Sequence, residues 1–594
     1  MRAQVMQMFG DMDQPFRSAT LKEYTASGSF PTTIPLVTHN RAQLPTEILT
    51  IIFALVARQH ASECLLNGDD DRPDTWMAWV PLMLVCRRWR DIGISTPWLW
   101  RRIAITNDLE SLQYRLSHTS NCVIDIFPSN NASVNKHAMP LLLPFAPFVR
   151  SIQTGRLSTA GALAELKPLF SVALPALEHL SVTAEHKAGA SSTSRLDLGF
   201  SEALHPNIRT FQAFAVATPT SPGFWTSLRE LTVQYATLDD APSCAEDLFY
   251  ILAGSTQLRS LNVYPRIGDR YPLRSIIPLP HNPPQGRYPL LHLQAIDIEG
   301  PPRFVASVLQ KIEAPALTTL QAFVSVEAEA DAAEIPSDMF PQWIRNLADS
   351  CEELEAIWDA ETHGFRISAY EAPDPGSNEE NSSILSIGVS GEMWSVPPLS
   401  VAINMLCSLM GTASPQSLTF QHFKTSAPAH AWRSLQSTFH TVCSLSMACD
   451  TDVVTPFLHT IGPTSIAGDW PALQELILDI ASDSLNSLEA YHLLDAILCA
   501  MRARNFLGLP FEALDVCQPN DHSGIFRIHR WMLLELSKLC DTFTFADTSE
   551  GSFTPELEEL EELFEEAEPG RFSALENDGG DGCDEWYECV SHFD

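Results

Sequence analysis

The sequence predicts an α/β chain: a short N-terminal helical block followed by a long, irregular solenoid of short strands and helices. Three observations carry that expectation. Large apolar residues crowd into two stretches, "LPTEILTIIFALVARQH" from Leu44 and "WVPLMLVCRRWRDIGISTPWLWRRI" from Trp79. From about residue 104 to 546, a leucine, two polar residues, a second apolar residue and an alternating run recur. Helix-like stretches lie between these runs.

Residues 1 to about 40 hold Met, Gln, Ser, Thr and Pro without periodicity and read as a flexible lead-in. In the first stretch Ile48, Leu49, Ile51, Ile52, Leu55 and Val56 recur at spacings of three and four, the mark of a helical face. Pro45 suits the first helical position, where its missing N–H has no intrahelical partner to lose. "HASECLLNGDDDRPDTW" then reads as a loop, from its Gly, its three Asp and Pro73. A second helix is expected from about Pro81 to Ile92, with Leu84, Val85, Trp89 and Ile92 on one side. Arg87, Arg88 and Arg90 fall mostly elsewhere and can lay their stems over apolar surface. "STP" at Ser95 to Pro97 is a turn and a new helix start, followed by the indoles Trp98 and Trp100.

The strand-like runs are "PALEHLSV" at 175, "PNIRTFQAF" at 206, "SLRELTV" at 227, "QLRSLNV" at 257 and "PLLHLQAIDI" at 289. "PALTTLQAFVSV" at 315, "ELEAIWD" at 353, "PALQELILDI" at 471 and "FEALDV" at 511 continue the series. Helices are expected at "AEDLFYILAGS", "PRFVASVLQKI", "FPQWIRNLADS" and "AYHLLDAILCAMRAR". The unit length overlaps and exceeds the ~20–29 residues of a leucine-rich repeat. Units of this kind must stack on their neighbours to bury an apolar face. An α/β domain of βαβ units is the rival reading. A polar stretch within 368–395 suggests an exposed hairpin tip or inserted loop. Residues 549–594, with "PELEELEELFEEAEPG", read as an acidic, solvated, partly ordered tail that could also present an interaction helix.

Composition narrows the function. The 594 residues carry a net charge of −36 and a pI of about 4.8. Such a chain is a poor match for polyanions, so neither nucleic acid nor an anionic membrane is an expected partner. The longest apolar runs, such as "MPLLLPFAPFV", are broken by proline, and no secretory leader is legible, so a cytoplasmic or nuclear location is expected. Thirteen scattered cysteines include no C-x-x-C pair, so buried or free thiols are expected, with no metal and no cofactor. The sequons at Asn131 and Asn381 read as chance occurrences. No phosphate-binding glycine loop, H-E-x-x-H or G-x-S-x-G is present, and His522 and His529 read as ordinary surface or half-buried residues. No catalysis is expected of this chain itself.

The N-terminal block resembles the F-box family. That family shares L-P-x-E-I-L-x-x-I-F, then V-C-[RK]-x-W-R, then a small-residue turn and P-x-L-W. This chain supplies Leu44, Pro45, Glu47, Ile48, Leu49, Ile52 and Phe53, then Val85, Cys86, Arg87, Trp89 and Arg90, then Thr96, Pro97, Leu99 and Trp100. The form is similar to F-box proteins of mushroom-forming fungi, in which a leucine-rich-repeat-like region follows; "CVIDIF" at Cys122 matches the short strand often found there. One departure is the gap of about Arg58 to Trp79, longer than in compact F-boxes and containing "NGDDD".

The resemblance, over about a tenth of the chain, implies an N-terminal three-helix F-box at 41–103; the residue pattern gives a flexible segment 1–40, a leucine-rich-repeat-like domain at 104–548 and an acidic, partly disordered tail at 549–594. The resemblance also implies docking on a Skp-family adaptor and through it a cullin ubiquitin ligase, with an unidentified target protein on the solenoid. The adaptor contacts it points to are Leu44, Pro45, Ile48, Leu49, Ile52, Val85, Cys86 and Trp89. For Ile52, Phe53, Trp89 and Trp100 the competing role is to hold the three helices together or to the solenoid. The alternative function is a regulatory or scaffold protein whose F-box no longer serves a ligase.

Overall fold

Each leucine-rich run takes the form of three apolar positions spaced by three and two, and the chain buries all three. The trios Leu177/Leu180/Val182, Leu228/Leu231/Val233, Leu258/Leu261/Val263, Leu293/Ile296/Ile298 and Leu473/Leu476/Leu478 all lie in the core. The first member closes a turn: the N–H of Leu177, Leu228, Leu258, Leu293 and Leu473 donates to the carbonyl three residues before it at 3.1–3.3 Å. The other two members point inward from a strand, where alternate side chains share a face. The protein is known here from a computed structural model that describes residues 44–67 and, between 79 and 553, all but short segments, the longest being 266–285. The expected lead-in, Gly68–Asp71 of the "NGDDD" segment, His522, His529 and residues 554–594 lie outside the described residues.

The strands, in chain order, are β1 (Arg102–Ala104), β2 (Ile124–Phe127), β3 (Val149–Gln153), β4 (Ser158–Thr159), β5 (His179–Glu185), β6 (Thr210–Phe214) and β7 (Glu230–Tyr235). Then come β8 (Ser260–Pro265), β9 (Tyr288–Pro289), β10 (Ala295–Gly300), β11 (Ile312–Glu313), β12 (Thr319–Val326), β13 (Glu353–Asp359), β14 (Gly364–Tyr370) and β15 (Leu385–Gly391). The last six are β16 (Ser417–Gln421), β17 (Ser444–Cys449), β18 (Glu475–Ile480), β19 (Ala513–Gln518), β20 (Thr542–Asp547) and β21 (Gly551–Phe553). All nine runs read as strands in the sequence are strands. The short runs "SLTFQ" and "SLSMAC", not singled out there, are strands as well.

One mixed sheet of 19 strands unites them, apart from the separate β9–β11 pair. From β1 to β12 the main strands pair in parallel with the next in line: β1, β2, β3, β5, β6, β7, β8, β10, β12. From β16 to β20 they do so again. Between the two arrays the order inverts. β12 pairs with β15, β15 with β14 and β14 with β13, and β13 pairs with β16. The antiparallel β14–β15 hairpin is the feature that the polar stretch at 368–395 announces; residues 372–382 between the strands are not described.

Residues facing the opposite way are half-buried, giving alternating burial along β10, β17 and β18. Helices cover the fully buried face. Those at Pro398–Leu409, Ala429–Thr438, Thr451–Ile461, Ser487–Phe506 and Arg530–Ser537 each pack on the next. Aromatic contacts join successive units, Phe420 edge-on to Trp432 at 5.6 Å and Trp432 tilted against Phe457 at 5.0 Å. The fold is therefore α/β with a strand-rich sheet. Asn131, a sequon residue, caps the helix Ala132–Leu142 by accepting from the Ser133 N–H at 2.9 Å.

Two helix boundaries in the N-terminal block differ from expectation. The first helix, α1, runs Thr46–Asn67, so His60–Asn67 continue the helix instead of opening a loop. Ala61, Glu63, Leu65 and Leu66 are good helix formers and there is no glycine before Gly68. The expected helix from Pro81 to Ile92 is two pieces: a 3₁₀ turn at Val80–Leu84, then α2 at Arg87–Ser95, with Cys86 fully extended between them at φ −161° and ψ 170°. Val85 and Cys86 are weak helix formers at the break. A second 3₁₀ turn at Pro97–Trp100 follows the extended Thr96, as the "STP" turn predicts.

Candidate docking surface

The F-box-like block is built on seven buried side chains: Leu49, Phe53, Trp79, Val80, Ile92, Leu99 and Trp100. Phe53 sits centrally, edge-on to Trp79 at 6.1 Å and tilted against Trp89 at 5.9 Å. Trp79 meets Trp100 edge-on at 5.0 Å. Gly93 lets the 3₁₀ turn approach α2, since a Cβ at Gly93 would lie 2.7 Å from both Cγ and Sδ of Met83. The freed helix end is satisfied locally: Trp100 Nε1 donates to the Gly93 carbonyl at 2.9 Å, and Thr96 Oγ1 donates to the Ile92 carbonyl at 2.6 Å.

Trp100 also ties this block to the sheet region. Its indole lies 5.7 Å from Tyr114 and 5.0 Å from His118, both on the helix Leu109–His118. Nearby, Asp125 on β2 accepts from Arg150 through both carboxylate oxygens and pairs with Arg101 at 3.3 Å. Arg101 directly precedes β1, so the chain leaves the block already hydrogen-bonded into the sheet.

Helix α1 is apolar on two sides, and among the described residues only one is covered. The inward side carries Leu49, Ile52, Phe53 and Val56. The outward side carries Ile48, Ile51 and Leu55, exposed by 42, 52 and 58 %, and Leu44, 45 % exposed, stands just before the helix starts at Thr46. Spacings of three and four place the three helical residues in one stripe. The break before α2 turns Leu84 and Val85 outward too, at 56 and 62 % exposure. An apolar helix face left in water normally has a partner.

Of the eight residues the resemblance points to, Leu44, Pro45, Ile48, Val85 and Cys86 are exposed. Ile52 and Trp89 are half-buried and packed against the cluster. Leu49, only 1 % exposed, is held inside the block between its helices and turns. Phe53 and Trp100 serve the block's own core, as their competing role requires. Ile51, Leu55 and Leu84 belong to the outward surface and were not among the eight. The signal for the first two was present, because Ile51 and Leu55 continue from Ile48 at helical spacing.

Elsewhere, no group of three or more His, Cys, Asp or Glu suited to a metal occurs among the described residues. Burial pushes the thiols of Cys351 and Cys449 up to about 12, so both are neutral at ordinary pH. No helix of the described residues is long and apolar enough to cross a membrane.

An F-box-like family model matches residues 42–106, which cover α1, the 3₁₀ turns, α2 and β1. The chain thus carries an F-box-like domain, which suggests an adaptor role in ubiquitin ligation. No curated protein matches the chain.

Proposed function

We propose that the chain is the substrate-recruiting subunit of a Skp–cullin–F-box type ubiquitin ligase. The observation that carries this reading is the outward stripe of Ile48, Ile51 and Leu55, joined by Leu44, Leu84 and Val85 on a block whose other side is packed. F-box domains generally bind Skp adaptors, and compact apolar patches with a few dominant anchors are what such a contact needs. Pro45 and Cys86 border the patch; Trp89 and Ile52 brace it from behind. In this reading the chain performs no chemistry. It accelerates transfer on other subunits by holding a target close to them.

We read the region from about 104 to 548 as a leucine-rich-repeat-like solenoid that holds the target. Three features support that: the recurrent turn before the leucine-rich strands, the sequential parallel order within each array, and, among the described residues, helices packed against the fully buried face. A doubly wound sheet would instead carry helices on both faces. The inverted β13–β15 segment marks the irregularity. The likeness to F-box proteins of mushroom-forming fungi supports the same pairing of block and solenoid.

Affinity capture of the tagged chain from cells tests the reading. Wild type should recover a Skp-type adaptor and a cullin, and the Leu44→Asp/Ile48→Asp variant should recover neither. Recovery of both by the variant, with its fold intact, contradicts the reading.

A further inference from the structure

The residue just before each strand forms a row along one edge of the sheet, fixed by shared backbone hydrogen bonds. The Arg209 carbonyl accepts from Arg229 N at 2.7 Å and from Glu230 N at 2.9 Å. The Arg229 carbonyl accepts from Arg259 N at 2.7 Å and from Ser260 N at 3.0 Å. Thr210, Glu230 and Ser260 are in register, so Arg209, Arg229 and Arg259 stand side by side on three adjacent strands, β6, β7 and β8. Strand spacing sets their Cα atoms about 4.8 Å apart. All three are exposed.

Three guanidinium groups stacked in register repel one another. One is neutralised: Arg209 Nη1 lies 3.4 Å from Glu178 Oε1. Arg229 and Arg259 have no carboxylate at ion-pair distance among the described residues. Farther along the same edge, the second parallel array presents Glu352, Gln416, Cys443, Gln474 and Glu512 at the corresponding positions, with no cation. The basic row is thus a local feature of a chain whose net charge is −36. Surface fields decay within roughly 8–10 Å at physiological salt, so an approaching group meets the three arginines together with the neighbouring Glu178 and the exposed Glu230, and not the distant carboxylates.

We propose that Arg209, Arg229 and Arg259 form a recognition row for an acidic segment of a partner protein. Planar guanidinium forks grip carboxylates through paired hydrogen bonds, and among the described residues no carboxylate engages those of Arg229 and Arg259. An extended Asp/Glu-rich segment laid across the strand ends supplies carboxylates at a comparable repeat. Glu178 stands at one end of the row and excludes further acidic groups there, and Gln294, next to Arg259 in the row, sets a neutral limit at the other. The proposal rests on the ligase reading only in calling that partner a target.

The test uses the full chain and a fluorescein-labelled peptide of alternating Glu and Ser, read by fluorescence anisotropy. Wild type should bind it, with affinity lost between about 50 and 500 mM salt. Arg229→Gln/Arg259→Gln should weaken binding at least about fivefold. Arg229→Lys/Arg259→Lys should fall between the two, since charge remains and the fork does not. Arg433→Gln, an exposed change on a helix, should behave as wild type. Thermal melts of every variant report folding directly, and these side chains are all at the surface. Equal binding by wild type and the Gln pair overturns the proposal, as does no binding at low salt or equal binding of a Lys/Ser peptide. No adaptor is present in the assay, so its failure leaves the ligase reading standing, and loss of adaptor capture leaves the peptide result standing.

Discussion

The triple change Ile51→Ala/Leu55→Ala/Leu84→Ala separates a docking stripe from an ordinary surface. Fully burying a Leu or Ile side chain contributes about 1.5–3 kcal/mol relative to leaving it in water. These three are 52, 58 and 56 % exposed, so a partner that covers them gains roughly half of that, about 1 kcal/mol each. Truncation to Ala removes most of it. The sum, about 2–3 kcal/mol, corresponds to an affinity loss of about 30- to 150-fold. The free chain should hardly notice, because half-exposed positions make modest contributions to stability. Titration calorimetry against a purified Skp-type adaptor gives the affinity, and differential scanning calorimetry gives the melting temperature. A drop in affinity with an unchanged melt is the expected pair. Unchanged affinity in a folded variant refutes the assignment of these residues to the interface.

Other outcomes follow from the same coordinates. Leu49→Ala should do the reverse, destabilising the chain by about 2–5 kcal/mol in chemical denaturation, because the side chain is fully inside. Gly93→Ala forces Met83 aside and should lower the melting temperature of the N-terminal block by a few degrees, corresponding to about 1–3 kcal/mol of overpacking. Arg504 is buried, donates to the carbonyls of Trp470, Leu473 and Leu509, and lies over the Phe511 ring at 4.6 Å; Arg504→Met should cost about 2–4 kcal/mol by leaving those carbonyls unpaired. Alkaline pH should destabilise the fold. Cys351 and Cys449 titrate near 12 in the fold against an ordinary 9.0, so their contribution is intact below 9 and is lost as pH rises toward 12. Denaturation midpoints measured at pH 8 and 10 should fall with pH, and the fall should shrink in Cys449→Ala.

Much of the architecture is legible because its cause is local. A buried apolar residue three positions before an alternating run, leucine in six of the nine runs and Ile208, Cys351 and Phe511 in the others, marks a turn and a strand whatever the neighbours are, and all nine runs form strands. Ser417–Gln421 and Ser444–Cys449 carry the same alternation, with Ser417, Thr419, Gln421 and Ser444, Ser446, Ala448 on the less buried side, so they too are legible by the same rule. The inverted order β12–β15–β14–β13–β16 is not local at all. Which strand β12 accepts as neighbour is decided by tertiary pairing, and no spacing in the sequence encodes it. The docking surface was half legible. Leu44, Ile48 and Val85 are on it, but α1 is apolar on two sides, and periodicity alone does not say which side faces the core. Phe53, packed between Trp79 and Trp89, settles that by drawing Leu49 inward with it. The extended Cys86 likewise depends on how the 3₁₀ turn meets Gly93, and it is what brings Leu84 to the surface.

The central claim is that the exposed stripe of the F-box-like domain is an adaptor site. Mixing the purified full chain with a purified Skp-type adaptor at about 10 μM and weighing the product by light scattering after size exclusion tests it most directly. A 1:1 complex, lost in the Ile48→Asp/Leu55→Asp variant, is the predicted result. Two separate species from wild type at that concentration, with the chain folded, would contradict it.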